Sequence, residues 1–178
     1  RIGAIHSVVF GGFASGSLAT RIDDATPKLV VSSDAGMRAG KAVPYKGLLD
    51  EAISLAAHKP GKVLMIDRGL DKGFNKVAGR DVDYATLRTQ FMDADVPVTW
   101  LESSEPSYIL YTSGTTGKPK GVQRDTGGYA VALASSIKHI YCGKEGETYF
   151  ATSDIGWVVG HSYIVYGPLI AGMCTIMY

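Results

Sequence analysis

Residues 112–121, Thr112-Ser113-Gly114-Thr115-Thr116-Gly117-Lys118-Pro119-Lys120-Gly121, carry the densest chemistry in the chain. They hold three glycines, four hydroxyl side chains and two lysines. Glycine lets backbone N–H groups come close to an anion, hydroxyls donate to phosphate oxygens, and lysine adds a compact positive charge. The set suits a polyphosphate. It is not the Gly-x4-Gly-Lys-Ser/Thr loop of P-loop proteins, because Pro119 follows Lys118 and removes the N–H that would open a helix there. A loop that closes over its ligand is therefore expected, rather than a rigid cradle. A solvated glycine-rich turn is the alternative for scattered glycines alone.

Three further stretches hold candidate binding residues. In Gly36-Met37-Arg38-Ala39-Gly40-Lys41, the two cations stand three residues apart with a glycine between them. Both could reach one phosphate, although an exposed basic loop has the same composition. Gly156-Trp157-Val158-Val159-Gly160-His161-Ser162-Tyr163 offers apolar lining for a small pocket, and a core helix would read the same way. His161 is more readily a structural or orienting histidine than a general base. Gly11-Gly12, between Phe10 and Phe13, reads as a strand-to-helix turn.

The elements that must position these residues alternate along the chain. Strands are expected at residues 5–10, 29–31, 63–66, 108–111 and 148–152, and in the final run. Helices are expected at 17–24, 45–57, 83–92 with Asp83 as cap, 129–141, and in the second half of 157–173. Residues 68–81 read as a surface excursion. This alternation predicts an α/β fold with mostly parallel sheet layers and flanking helices, in one lobe.

Composition removes several classes. Of 178 residues, 46% are hydrophobic and 20% charged, enough apolar content for a core. A net charge of +1 gives no attraction to nucleic acid or to an anionic membrane surface. The apolar stretch 158–178 is broken by His161, Ser162, Gly167 and Pro168, which favours core over membrane span. Cys142 and Cys174 belong to no Cys-x-x-Cys or Cys/His cluster, and the four histidines lack metal-ligand spacing, so no metal site and a reduced cytoplasmic setting are expected. The chain begins at Arg1 and stops in the apolar run 175–178. It is expected to be an internal fragment, since termini usually lie in polar surface segments.

The string from Tyr111 to Val122 resembles the phosphate-loop signature of the adenylate-forming superfamily. The stretches Arg1-Ile2-Gly3-Ala4-Ile5-His6-Ser7-Val8-Val9-Phe10-Gly11-Gly12-Phe13 and Gly156 to Tyr163 resemble its short-chain acyl-CoA synthetase branch. Val158-Val159 and the string from Gln123 to Ala134 are most similar to propionate-activating members, and the resemblance covers essentially the whole chain. It implies part of the N-terminal AMP-binding domain of an acid–thiol ligase. Such an enzyme uses ATP, Mg2+ and CoA to activate a short-chain carboxylate, propionate favoured, through an acyl-AMP. Acetate or another acid is the alternative substrate, and a nucleotide-binding module without chemistry is the non-enzymatic alternative. In this reading Thr112, Ser113, Gly114, Thr115, Thr116, Gly117, Lys118, Lys120 and Gly121 hold the ATP phosphates. Trp157, Val158, Val159, Gly160 and His161 line the acyl and pantetheine pocket, with Val159 where acetate-activating relatives commonly have threonine. Gly11, Gly12, Arg38 and Lys41 contact CoA, with Lys41 where relatives often have arginine. No catalytic side chain is assigned within these residues. The adenine contacts, metal-binding acid, catalytic lysine and small C-terminal lobe of the family would follow residue 178, and the isolated piece is expected to be inactive.

Overall fold

The computed structural model describes residues 1–112 and 119–177. The chain divides into two units, Gly11–Asp95 and a second built from Arg1–Phe10 together with Val96–Tyr178.

The Gly11–Asp95 unit is a three-stranded parallel sheet with helices packed on it. Its elements are α1 (Ser15–Ala25), β1 (Leu29–Ser33), β2 (Ala35–Arg38), β3 (Lys41–Pro44), α2 (Tyr45–Leu55), β4 (Lys62–Ile66), β5 (Asp81–Asp83) and α3 (Tyr84–Gln90). The sheet runs β1-β4-β5, with Val30 opposite Val63 and Met65 opposite Asp83. Val63 and Met65 lie two apart on one face of β4 and are fully buried. They meet Ala19 and Ile22 of α1 and Leu49, Ala52 and Ile53 of α2, which lie at helical spacing. Asp83 caps α3 by accepting from the Thr86 N–H at 2.8 Å.

One loop of this unit is organised by a carboxylate. Asp34 is fully buried and accepts the backbone N–H groups of Arg68 (3.0 Å), Leu70 (2.7 Å) and Asp71 (2.9 Å). Burial alone would raise its pKa, but the N–H groups of Asp71, Arg68, Ala35 and Leu70 outweigh it and hold the carboxyl at about 2, against 3.8 for the free group. A depressed carboxylate pKa contributes stability that is present above the unfolded value and lost as pH falls through the folded one. The stability difference between the parent and Asp34→Asn is therefore expected to hold steady above about pH 4 and to shrink towards about pH 2. Denaturant unfolding across that range measures it, and a pH-independent difference would refute this account of the carboxylate.

The second unit contains β6 (Pro106–Thr112), β7 (Lys120–Asp125), α4 (Gly127–His139), β8 (Thr148–Phe150), α5 (Val158–Gly160), a π-helical segment (His161–Tyr166), α6 (Gly167–Ile170) and β9 (Cys174–Ile176). β6 and β7 form an antiparallel ribbon, whereas β8 and β9 pair in parallel. Asp125 holds the start of α4, its Oδ2 accepting from the Gly128 N–H at 2.9 Å. Leu133 and Ile137, one turn apart, are the buried face of that helix.

The mixed α/β class expected from the sequence is the observed one, with two departures. Residues 5–10 form no regular strand; only His6 bridges to Tyr108, through Ile109 N–H to His6 O at 2.9 Å. The antiparallel pairs β2–β3 and β6–β7 have no counterpart in the sequence reading.

Candidate functional site

The Gly/Thr/Lys loop joins the two strands of the β6–β7 ribbon. Thr112 ends β6 and faces Lys120, the first residue of β7, while Tyr111 faces Gly121. Thr112, Lys120 and Gly121 are exposed, and Tyr111 is buried as the foot of the ribbon. The ribbon thus brings the two ends of the loop side by side. Ser113, Gly114, Thr115, Thr116, Gly117 and Lys118 lie outside the described residues.

The stretch assigned to the acyl pocket divides into two sets. Trp157, Val158 and Val159 are exposed at 42%, 42% and 51%. Gly160 and His161 are buried and act behind them. A Cβ at Gly160 would stand 2.0 Å from the carbonyl oxygen of Asp154, so this glycine is needed for close backbone packing rather than for pocket space. The His161 Nδ1–H donates to Ile155 O at 3.2 Å, which leaves Nε2 to accept from His6 Nε2–H, also at 3.2 Å. Burial, then the neighbouring His6, pushes the His161 pKa down, so the ring stays neutral with both nitrogens engaged. That geometry is structural. Trp157 packs on Phe10 with ring centroids 5.9 Å apart.

Rings from four segments meet behind the valines. Tyr108 is 1% exposed, with His161 at 4.5 Å and Tyr129 at 5.2 Å between centroids. The Tyr129 and Ser162 hydroxyls are 2.6 Å apart, and Ser162 Oγ–H also reaches Val158 O at 2.5 Å. The latter bond, one turn back, accompanies the π-helical widening at His161–Tyr166. Together they fix the valine pair against α4. A cavity of about 300 Å³ opens there, lined by Val158, Val159, Tyr129, Ala132, Leu133 and Arg124, with three further hydroxyl-bearing residues. The sequence reading missed Arg124 and Tyr129, which sit in the Gln123–Ala134 string noted for resemblance alone.

Arg38 and Lys41 form the last cross-strand pair of the β2–β3 hairpin, and both are exposed. The two turn residues, Ala39 and Gly40, have φ of 48° and 76°, the left-handed pair that a tight two-residue hairpin requires. The turn brings both cations to one end of the ribbon. Gly11 and Gly36 both pack against Tyr45, and a Cβ on either would fall 2.4 or 2.3 Å from its hydroxyl. Gly12 completes the turn before α1. Among the described residues, no group of three or more His, Cys, Asp or Glu side chains could hold a metal ion, and no helix is long and apolar enough to cross a membrane.

The fold is mixed α/β, and comparison with known proteins supplies the class. The AMP-binding enzyme family model matches residues 1–178, and the chain belongs to that family. It is 70% identical over 178 residues to a propionate–CoA ligase of Escherichia coli and 69% identical to one of Salmonella typhimurium, covering all of this chain and 28% of each ligase. It is 51% identical over 179 residues to the mouse mitochondrial acyl-CoA synthetase short-chain family member 3, covering 26% of that protein. The chain therefore spans just over a quarter of the length of these relatives.

Proposed function

We propose that the chain is part of the N-terminal AMP-binding domain of a ligase that joins a short-chain carboxylate, propionate favoured, to CoA through an acyl-AMP. The observation that carries this reading is the 70% identity to a propionate–CoA ligase along every one of the 178 residues. An oxygen of the ionised acid attacks the α-phosphorus of ATP, and the bond to pyrophosphate breaks. The CoA sulfur, having lost its proton, then attacks the acyl carbon and AMP leaves. Charge moves onto phosphate oxygens in the first step, so fixed cationic and hydroxyl donors supply most of the acceleration. Residues 112–118 with Lys120 and Gly121 would hold the β- and γ-phosphates, Lys118 and Lys120 providing the charge. Mg2+ would be bound with the ATP phosphates and neutralise part of their charge. Trp157, Val158 and Val159 would face the acid, with Gly160 and His161 fixing them from behind. Arg38 and Lys41 would grip the phosphate end of CoA, and Gly11-Gly12 would lie against it.

Acetate is the second reading. One methylene changes binding in a small apolar site by about 1–3 kcal/mol, and the preference for propionate is supported by the likeness to propionate–CoA ligases. A cytoplasmic setting completes the proposal, supported by the free thiols of Cys142 and Cys174.

ATP–pyrophosphate exchange is the test, run on the complete polypeptide that carries these residues and on the 178-residue chain alone. Exchange is expected with propionate ahead of acetate in the complete polypeptide, and at background in the isolated chain. No exchange with any acid in the complete polypeptide would overturn the ligase assignment. Acetate ahead of propionate would overturn the substrate preference. Full exchange by the isolated chain would overturn its place as a dependent part of a larger domain.

A further inference from the structure

We propose that Arg124 receives the carboxylate of the acid substrate at the mouth of the cavity walled by Ala132, Leu133, Val158 and Val159. The proposal rests on the ligase reading and deepens it. The cavity, about 300 Å³, lies at the small end of ligand pockets, which run from roughly 300 to 1,000 Å³. Of its lining side chains Arg124 alone is charged; the rest are aliphatic, aromatic or hydroxyl-bearing. Among the described residues no carboxylate pairs with its guanidinium, every ion pair there being made by Lys46, Lys76 or Arg80. Arginine is never neutral in a protein, and its planar fork matches a carboxylate with two parallel N–H donors. A cation without an anion, standing over a small apolar wall, is what a short aliphatic acid requires: a charge for the head and methyl-lined surface for the tail.

Arg124 is exposed, and its neighbours place it beside the acyl wall. Arg124 is the penultimate residue of β7, opposite Tyr108, and its Cζ stands 6.0 Å from the centre of the Tyr129 ring. Tyr129 is itself tied to Ser162, and Ser162 to Val158 O. Tyr129, Ser162 and Val158 thus form one hydrogen-bonded unit, and the guanidinium stands over the ring at one end of it. Lys120 and Arg124 are four residues apart on one strand, so their side chains leave the same face, about 13 Å apart along it. The strand that starts at the phosphate loop therefore ends at the cation beside the acyl wall.

The test uses the complete polypeptide carrying Arg124→Gln or Arg124→Lys. Loss of a charge-assisted pair raises the propionate KM in exchange by about 10- to 100-fold for Arg124→Gln, with the KM of ATP unchanged. Arg124→Lys, which keeps the charge and loses the fork, is expected between parent and Gln variant. Melting curves of both variants accompany the kinetics, and the Lys variant decides if the Gln variant does not fold. A propionate KM unchanged in a folded variant, or KM values for propionate and ATP rising together, would overturn the Arg124 proposal while leaving the ligase reading intact. No exchange in the unsubstituted polypeptide would overturn both.

Discussion

Replacing Asp81 with alanine is expected to destabilise the Gly11–Asp95 unit by about 3–5 kcal/mol, the cost of leaving one member of a buried ion pair without its partner. Lys46, on the first turn of α2, is only 2% exposed. Its Nζ lies 3.0 Å from the Asp81 carboxylate, whose side chain is fully buried, and it also pairs with Asp50. Arg80 Nε donates to the other Asp81 oxygen at 2.6 Å, and the guanidinium reaches Asp50 as well. The Val77 N–H completes the Asp81 acceptor set at 2.8 Å. Four charges thus satisfy one another where β5 meets α2, and removing Asp81 strips an anion from two cations and an acceptor from a backbone N–H. Urea unfolding followed by circular dichroism measures the loss, and a change under 1 kcal/mol would show that the network relaxes onto Asp50 or water. The double replacement Lys46→Met with Asp81→Leu is expected to cost far less, because it takes the buried charges away together.

Gly160→Ala is the second large effect. The added carbon would lie 2.0 Å from Asp154 O, 2.5 Å from Asp154 C and 3.0 Å from Ile155 N. These are backbone atoms, so no rotamer change relieves the contact, and α5 or the loop before it must move. Overpacking of this kind costs typically 1–3 kcal/mol and sometimes more. Val158, Val159 and His161 flank Gly160, so the displacement also carries the proposed acyl wall. A lowered melting temperature together with a loss of propionate-dependent exchange is the expected pair of results. Gly16→Ala is the control. Gly16 lies in α1 with nothing within 4 Å of its would-be Cβ, and alanine there is expected to stabilise by about 0.5–1 kcal/mol. Equal melting temperatures for the parent and Gly160→Ala would refute the close-packing role.

The elements with strong local signals were readable in advance. α2 shows Leu49, Ala52 and Ile53 at helical spacing, and β4 is a short apolar run bounded by Pro60-Gly61 and a polar loop. The β2–β3 hairpin gave no such signal, because its turn puts Ala39 at φ 48°, and alanine does not announce a left-handed residue as asparagine would. β7 was hidden because Lys120-Gly121-Val122-Gln123-Arg124-Asp125 has little β propensity of its own and becomes a strand by pairing with β6. The apolar run at residues 5–10 misled in the opposite direction. It has strand composition, yet it meets only one bridging partner, at Tyr108.

By itself the sequence determined the family, since its marks reside in contiguous strings whose residue types carry their meaning locally. It also determined the α/β class, through alternating periodicities. Only the tertiary structure decided how the Gly156 to Tyr163 segment divides, with two exposed valines in front and a buried glycine and histidine behind. Only the tertiary structure set Arg124 beside those valines, more than thirty residues further along the chain. Burial and the approach of one side chain to another depend on which distant elements pack together, and no local spacing encodes that.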